Sequence, residues 1–229
     1  MRNYEKSLRL LKFEEISVEG YRRIGLNQLL RLTEEAPENM SFEKLKDLLS
    51  SFYCPFQNDV EDFLHSKAIE FERQGTAATH LVLTSYQENL VLVGYFTLAS
   101  KYVHVDIKNN RNRLSSKLKQ RLKRFGIYDA DLKKQIIPMP LIGQLGKNYA
   151  NGYNQLIDGD ELLKIACDTV KESQALVGGR TVYLECEDTL RLVQFYEENG
   201  FNLFGRRELE AKEGRYFKGE YLLQFLKYL

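Results

Sequence analysis

Arg180-Thr181-Val182-Tyr183-Leu184-Glu185-Cys186-Glu187-Asp188, continued through Thr189 to Phe195-Tyr196-Glu197-Glu198-Asn199-Gly200-Phe201, is the stretch on which the fold turns. Its first seven residues are rich in β-branched and aromatic side chains and predict a strand. Thr189 to Glu198 predicts a helix, and Asn199-Gly200 predicts its end, because both residues tolerate the left-handed backbone that closes helices. Phe201-Asn202-Leu203-Phe204 then starts a further strand, and Tyr216 to Leu229 is apolar enough to supply the last one.

Working back toward the N-terminus, Leu163, Ala166, Cys167 and Val170 form a stripe that predicts a helix from Asp160 to about Leu176, ended by Gly178-Gly179. Before it lies a polar loop, Gly143 to Gly159, and before that the apolar run Ile136-Ile137-Pro138-Met139-Pro140-Leu141-Ile142. Proline cannot donate to a ladder, so this strand should centre on Leu141-Ile142 or carry a bulge or edge at the prolines. Leu114, Leu118 and Leu122, four apart among basic residues, predict an amphipathic helix. His80–Thr84 and Leu90–Leu98 read as a hairpin around Gln87-Glu88-Asn89, with Tyr102–Val105 continuing the second strand or forming a short extra one. Ser41 followed by Leu45, Leu48, Leu49 and Phe52 predicts a capped helix, and Asn58 to Gly75 a second. The sum is an α/β chain of the α+β kind: a mixed sheet with helices on its faces.

Length and composition bound what such a chain does. At 229 residues it fits one large domain, and 43% hydrophobic with 28% charged residues excludes a disordered or fibrous chain. No apolar run is long enough for a bilayer span and no signal-like stretch opens the chain, so no membrane role and a cytoplasmic location are expected. Cys54, Cys167 and Cys186 are too scattered for a disulfide framework or, with the three histidines, a metal site. No Walker motif or GxGxxG is present. The net charge of +1 conceals segregation: residues 107–134 carry 10 basic and 2 acidic side chains, whereas 32–72 carry 3 and 10. A local field of that sign attracts anions although the whole chain is nearly neutral.

The strand tipped with Glu185-Cys186-Glu187-Asp188 and the Tyr196-x-x-x-Gly200-Phe201 pattern resemble the GNAT superfamily of acetyl-CoA-dependent N-acetyltransferases. The resemblance runs over about residues 41–229, apart from the basic insertion at about 107–134, and leaves 1–40 as an N-terminal extension. It implies a mostly antiparallel mixed sheet with helices on both faces and a splayed central strand pair. Phe52-Tyr53-Cys54, Val60-Glu61-Asp62-Phe63-Leu64 and Gly94-Tyr95-Phe96-Thr97-Leu98 look, further, like the bacterial toxin branch that acetylates aminoacyl-tRNA.

The resemblance also implies roles. Leu145, Gly146 and Lys147 match positions whose backbone pairs with the pantetheine arm of acetyl-CoA. Gly159 matches the last glycine of the pyrophosphate loop, which puts Asn154 at its Gln/Arg position and Ile157 at its middle glycine, with Asp158 and Asp160 flanking the helix start. Tyr196 matches the tyrosine that protonates the departing CoA thiolate. An attacking amine must shed a proton, and Glu185 or Glu187, which share one face of their strand, are candidate bases. Each feature has a plainer reading: helix capping for the acids, a core aromatic for Tyr196, a solvated strand end for the glutamates, a solvated helix for the insertion. Three functions follow: an N-acetyltransferase with an unknown amine acceptor, a binding module on the same fold without catalysis, and a toxin-like enzyme that contacts RNA through 107–134. Leu8, Leu10, Leu11, Leu29 and Leu30 are expected to pack on the domain or on a second copy, as in a homodimer.

Overall fold

The computed structural model describes residues 16–18, 20–109, 113–217 and 219–229. The strands are β1 (Ile16–Val18), β2 (Tyr21–Gly25), β3 (Ala78–Tyr86), β4 (Asn89–Val105), β5 (Ile127–Asp129), β6 (Lys134–Lys147), β7 (Thr181–Cys186), β8 (Asn202–Glu208) and β9 (Tyr221–Tyr228). The helices are α1 (Leu26–Glu35), α2 (Phe42–Ser50), α3 (Asn58–Ser66), α4 (Ala68–Arg73), α5 (Ser116–Phe125), α6 (Gly159–Val177) and α7 (Leu190–Glu198). Strand order is β1-β2-β3-β4-β6-β7-β9-β8, with β5 on β6. Every ladder described residue by residue is antiparallel except β6 with β7. This is the mixed, mostly antiparallel sheet expected.

Two compact units divide the chain. The first comprises the described residues up to Leu98 together with Gln144–Ala166. Its core joins Leu26, Leu29 and Leu30 of α1, Leu45, Leu48 and Leu49 of α2, and Val60, Phe63 and Leu64 of α3 to Leu81, Leu83 and Tyr95 of the sheet. Leu29 and Leu30 thus pack within the unit, whereas Leu8, Leu10 and Leu11 lie outside the described residues. Ser41 caps α2 by accepting from the Lys44 N–H at 3.3 Å. The helix predicted from Asn58 to Gly75 is two helices that meet at Lys67. Gln87 and Glu88 both adopt positive φ (46° and 65°), a two-residue turn whose twist matches the hairpin without glycine. Adjacent residues of β4 meet opposite layers: the Tyr95 hydroxyl donates to the Val60 carbonyl of α3, and the space beside Gly94 is closed by Leu162 of α6. Helices therefore cover both faces.

His80, stacked on Phe96 at 5.0 Å, is the most perturbed histidine of this unit. Burial lowers its pKa to about 4, with the Arg23 charge adding to the effect. The unfolded chain, whose histidine titrates near 6.5, therefore takes up the proton first, and stability should fall as pH drops from about 6.5 to about 4. Urea midpoints across that window are expected to decline for the wild type and to flatten in His80→Gln.

The second unit comprises Ala99–Gly143 and Cys167–Leu229. Its core gathers Val103 and Val105 of β4, Leu114, Leu118 and Leu122 of the basic stretch, Ile137 and Met139 of β6, Tyr183, Phe204 and Leu226. The leucines spaced by four are thus the buried face of α5, whose N-cap Ser115 accepts from the Leu118 N–H at 3.2 Å. Tyr102–Val105 prolongs β4 without a separate strand. The parallel ladder between β6 and β7 is two residues long, Leu141 with Tyr183 and Ile142 with Leu184. Pro138 and Pro140 fall between this ladder and the β5 pairing at 134–136, so neither is asked to donate in those ladders.

Candidate active site

In the first unit, the end of β6 is oriented by its bonds to β4. The Gln144 N–H donates to Thr97 Oγ1 at 2.9 Å and the Asn148 N–H to the Val93 carbonyl at 2.8 Å. Backbone groups alternate sides along a strand, so those of Leu145 and Lys147 face away from β4. No β7 ladder residue takes them, because that ladder stops at Ile142. These two alternate peptide groups are thus outside both the bonds to β4 and the β7 ladder.

Gly146 sits between them under close contact. A Cβ there would lie 2.6 Å from Val60 Cγ1 and 3.3 Å from Phe52 Cζ, and one on Gly94 would lie 2.9 Å from the Gly146 carbonyl oxygen. The strand approaches α3 and β4 as closely as it does because both positions lack a side chain. Asn148, 1% exposed, then locks the strand end: Nδ2 donates to the Leu92 carbonyl at 2.9 Å, and Oδ1 accepts from the Tyr53 and Ala150 N–H groups, both at 3.0 Å. The Tyr149 N–H completes the joint on the Tyr53 carbonyl at 2.7 Å. Asn148 escaped the sequence reading, where it looked like one more polar loop residue.

The loop that follows turns through Asn151 (φ 54°) and Gly152 (φ 76°). Asn154 is half-buried there, Ile157 is buried in the unit, and Asp158 and Asp160 are exposed. At the start of α6 the Asp158 N–H donates to Glu161 Oε2 at 3.0 Å, and the Tyr21 hydroxyl lies 3.0 Å from that oxygen and 2.9 Å from the Leu156 carbonyl. The first helical bond is Leu162 N–H to Asp158 carbonyl, so the N–H groups of the first turn, Gly159 among them, point out of the helix end. Glu161 claims one donor of this end for the protein itself. An anion here would meet the first-turn N–H groups, and Ile157 adds nothing to it because its side chain turns into the core.

In the second unit, the Tyr196 ring packs against Phe195 at 5.0 Å and against Phe201 and Phe225 at 5.9 Å. The spacing Tyr-x-x-x-Gly-Phe is a helix cap. Gly200 takes φ 77°, its N–H reaches the Glu197 carbonyl and the Phe201 N–H reaches the Tyr196 carbonyl, which brings Phe201 back over the tyrosine. Burial raises the Tyr196 pKa far above the usual phenol value, and the nearby Cys186 adds to it. The hydroxyl has no hydrogen-bond partner among the described residues and is available as a proton donor at neutral pH.

Glu185 lies in a charged network. Oε2 accepts from Arg207 Nε and Oε1 from Gln224 Nε2, each at 2.8 Å. Arg207 turns its two terminal nitrogens to Glu213 at 2.9 Å. The guanidinium bond holds the Glu213 carboxyl below the ordinary carboxylate range. Both Glu185 oxygens serve this network, which ties β7 to β8, β9 and residues 209–213, so a proton from an incoming amine would displace an ion pair. The Glu185 carboxylate, named from the sequence as a candidate base, is thus engaged by Arg207 and Gln224.

The basic stretch shows a charged outer face. Arg113, Lys117, Lys123 and Arg124 are exposed, while Arg121 lies over the Tyr228 ring at 4.2 Å. The adjoining β5 turn adds Ile127 (76% exposed) and Tyr128 (46%). Among the described residues no group of His, Cys, Asp and Glu could hold a metal ion, and no helix is long and apolar enough to cross a membrane.

No protein-family model and no curated protein sequence matches the chain. Solved structures do. One, "AtaT complexed with acetyl-methionyl-tRNAfMet", superposes with a TM-score of 0.51 at 20% identity, covering 77% of this chain and 85% of that one. Another, described as a bacterial toxin, gives a TM-score of 0.51 at 14% identity over 83% of this chain and 86% of its own. The likeness is one of fold: the chain has the fold of GNAT acetyltransferases, as the strand order and the short β6–β7 ladder already indicate.

Proposed function

We propose that the protein is an N-acetyltransferase that moves acetyl from acetyl-CoA to an amine by direct attack, and that the amine is the α-amino group of an aminoacyl-tRNA. The observation that carries the first part is the end of β6, where the peptide groups of Leu145 and Lys147 lie beyond the last β7 ladder pair and point away from β4. Acetyl-CoA supplies an activated acyl group on a thiolate leaving group. Leu145 and Lys147 would pair with the pantetheine amides, and the first-turn N–H groups of α6 with the pyrophosphate. Tyr196 would give its proton to the departing thiolate, since a phenol is protonated at neutral pH and can donate to a developing anion. The RNA acceptor is supported by the charge of residues 107–134 and by the fold shared with a toxin solved with acetyl-methionyl-tRNAfMet.

Titration calorimetry with acetyl-CoA, followed by mass spectrometry of nucleosides from treated aminoacyl-tRNA, tests both parts. Binding with an acetylated aminoacyl ester is the expected result. A module that holds partners without turnover is favoured by the Glu161 cap on the Asp158 N–H, and absence of binding heat would select it. RNA affinity is expected to fall steeply with salt. Replacing Lys117, Lys123 and Arg124 by Gln should weaken it and lower the log–log salt slope by about 2, at roughly 0.7 to 0.9 for each phosphate left without its cation. Arg121 is left in place because its stacking on Tyr228 supports the fold.

A further inference from the structure

With Glu185 engaged by Arg207 and Gln224, the amine's proton needs another acceptor, and the first unit contains one connected row of polar groups with unmet valences. Glu72 Oε2 accepts from the Thr79 N–H at 2.7 Å. Thr79 stands directly opposite Thr97 in the β3–β4 ladder, so the two side chains share a face. Thr97 Oγ1 accepts from the Gln144 N–H, and Gln144 directly precedes Leu145. Thr79 and Thr97 are 1% and 2% exposed. Two atoms of this row, Thr79 Oγ1 and Gln144 Oε1, are buried and have no hydrogen-bond partner among the described residues. An unpaired buried hydroxyl and an unpaired buried amide oxygen are costly, and a small polar guest bonded to both removes that cost. Glu72 forms no ion pair among the described residues, and its Oε1 is uncommitted. The charged residues beside it on α4 are occupied: Glu70 accepts from Gln74 at 2.8 Å, and Arg73 lies over the Phe42 ring at 5.6 Å.

Resting on the acetyltransferase reading, we propose that Glu72, Thr79 and Gln144 form the route by which the acceptor amine loses its proton, through one water held between the Thr79 hydroxyl and the Gln144 amide oxygen. The acceptor ammonium passes a proton to this water as the water passes one of its own to Glu72 Oε1. Ammonium and carboxylate become amine and carboxylic acid, no other reactant is consumed, and the nitrogen lone pair is released for attack on the thioester carbonyl. Burial raises the Glu72 pKa above the ordinary carboxylate value, which brings it closer to that of an amine and eases the transfer. Glu72 acts through the water and is a positioning residue in this scheme.

The test is the pH dependence of acetyl transfer from acetyl-CoA to a mixed aminoacyl-tRNA pool, with the full-length chain. For the wild type, log kcat/KM should rise and then level above the Glu72 titration. Glu72→Gln should cut turnover by about 100-fold near neutrality and leave a line that keeps rising with pH, as bulk hydroxide takes over, while acetyl-CoA affinity by calorimetry stays unchanged. Thr79→Val should lower turnover by about 10-fold, and Thr79→Ser, which keeps the hydroxyl, should restore it. An unchanged profile in a folded Glu72→Gln overturns this inference and leaves the acetyltransferase reading standing. A wild type that binds acetyl-CoA but acetylates no aminoacyl-tRNA overturns both. A high-resolution crystal structure of the wild type gives a readout independent of activity: solvent bonded to Thr79 Oγ1 and Gln144 Oε1 is expected, and an empty or side-chain-filled space there sinks the proposal.

Discussion

Tyr196→Phe is expected to lower turnover by about two orders of magnitude and to leave acetyl-CoA affinity within about twofold, because the substitution removes one proton and no contact surface. The ring stays between Phe195, Phe201 and Phe225, so the melting temperature should not fall. The phenol has no partner to orphan among the described residues, and burial keeps it protonated at neutral pH. Stopped-flow detection of thiol release, with calorimetry for affinity, separates the two effects. Equal turnover in the two proteins would reject Tyr196 as the acid, and a loss of stability in step with activity would make it a core aromatic only.

Asn148→Ala should have the largest effect on stability. Its amide makes one donated and two accepted bonds in a place where water does not reach, and truncation leaves the Leu92 carbonyl and the Tyr53 and Ala150 N–H groups unpaired. Each such group costs roughly 1–3 kcal/mol, so a loss of about 4 kcal/mol is expected, which for a chain of this size lowers the melting temperature by about 10 °C. Asn148→Asp keeps both accepted bonds and sets a carboxylate oxygen against the Leu92 carbonyl. Its stability should therefore improve as pH falls and the acid regains a proton to donate. Because Asn148 ends the strand that carries Leu145 and Lys147, acetyl-CoA affinity should fall even where Asn148→Asp remains folded. A melting temperature unchanged in both variants would mean that Asn148 does not hold this joint.

Several parts of the molecule were readable in advance because their causes lie within a turn or two of chain. Ser41 and Ser115 cap their helices with their own hydroxyls, Leu114, Leu118 and Leu122 form a buried stripe, and Asn199-Gly200 closes α7. The same holds for Tyr196, whose spacing to Gly200 and Phe201 is a local cap that also fixes its ring. Other parts were not readable. Ile127–Asp129 is three residues long, too short to show a period, and exists as a strand because β6 pairs with it. Gln87-Glu88 turns the hairpin with positive φ at residues that seldom adopt it, imposed by the register of the strands on either side.

The candidate site divides along the same line. Leu145, Gly146, Lys147 and Gly159 were candidates through the family resemblance, which a run of strand, loop and helix along the chain is enough to carry. The fate of Glu185 could not, because its partners Arg207 and Gln224 are 22 and 39 residues away. Nor could the importance of Asn148, whose bonds span 95 and 56 residues, or the meeting of Glu72, Thr79, Thr97 and Gln144. Periodicity and caps record what a residue does to its near neighbours, and they were enough to place the helices and strands; the fold family and the candidate acid came from the resemblance those elements carry. Which carboxylate is spent on an ion pair and which polar atoms are left unpaired depends on distant segments brought together by core packing, and only the folded chain settles it.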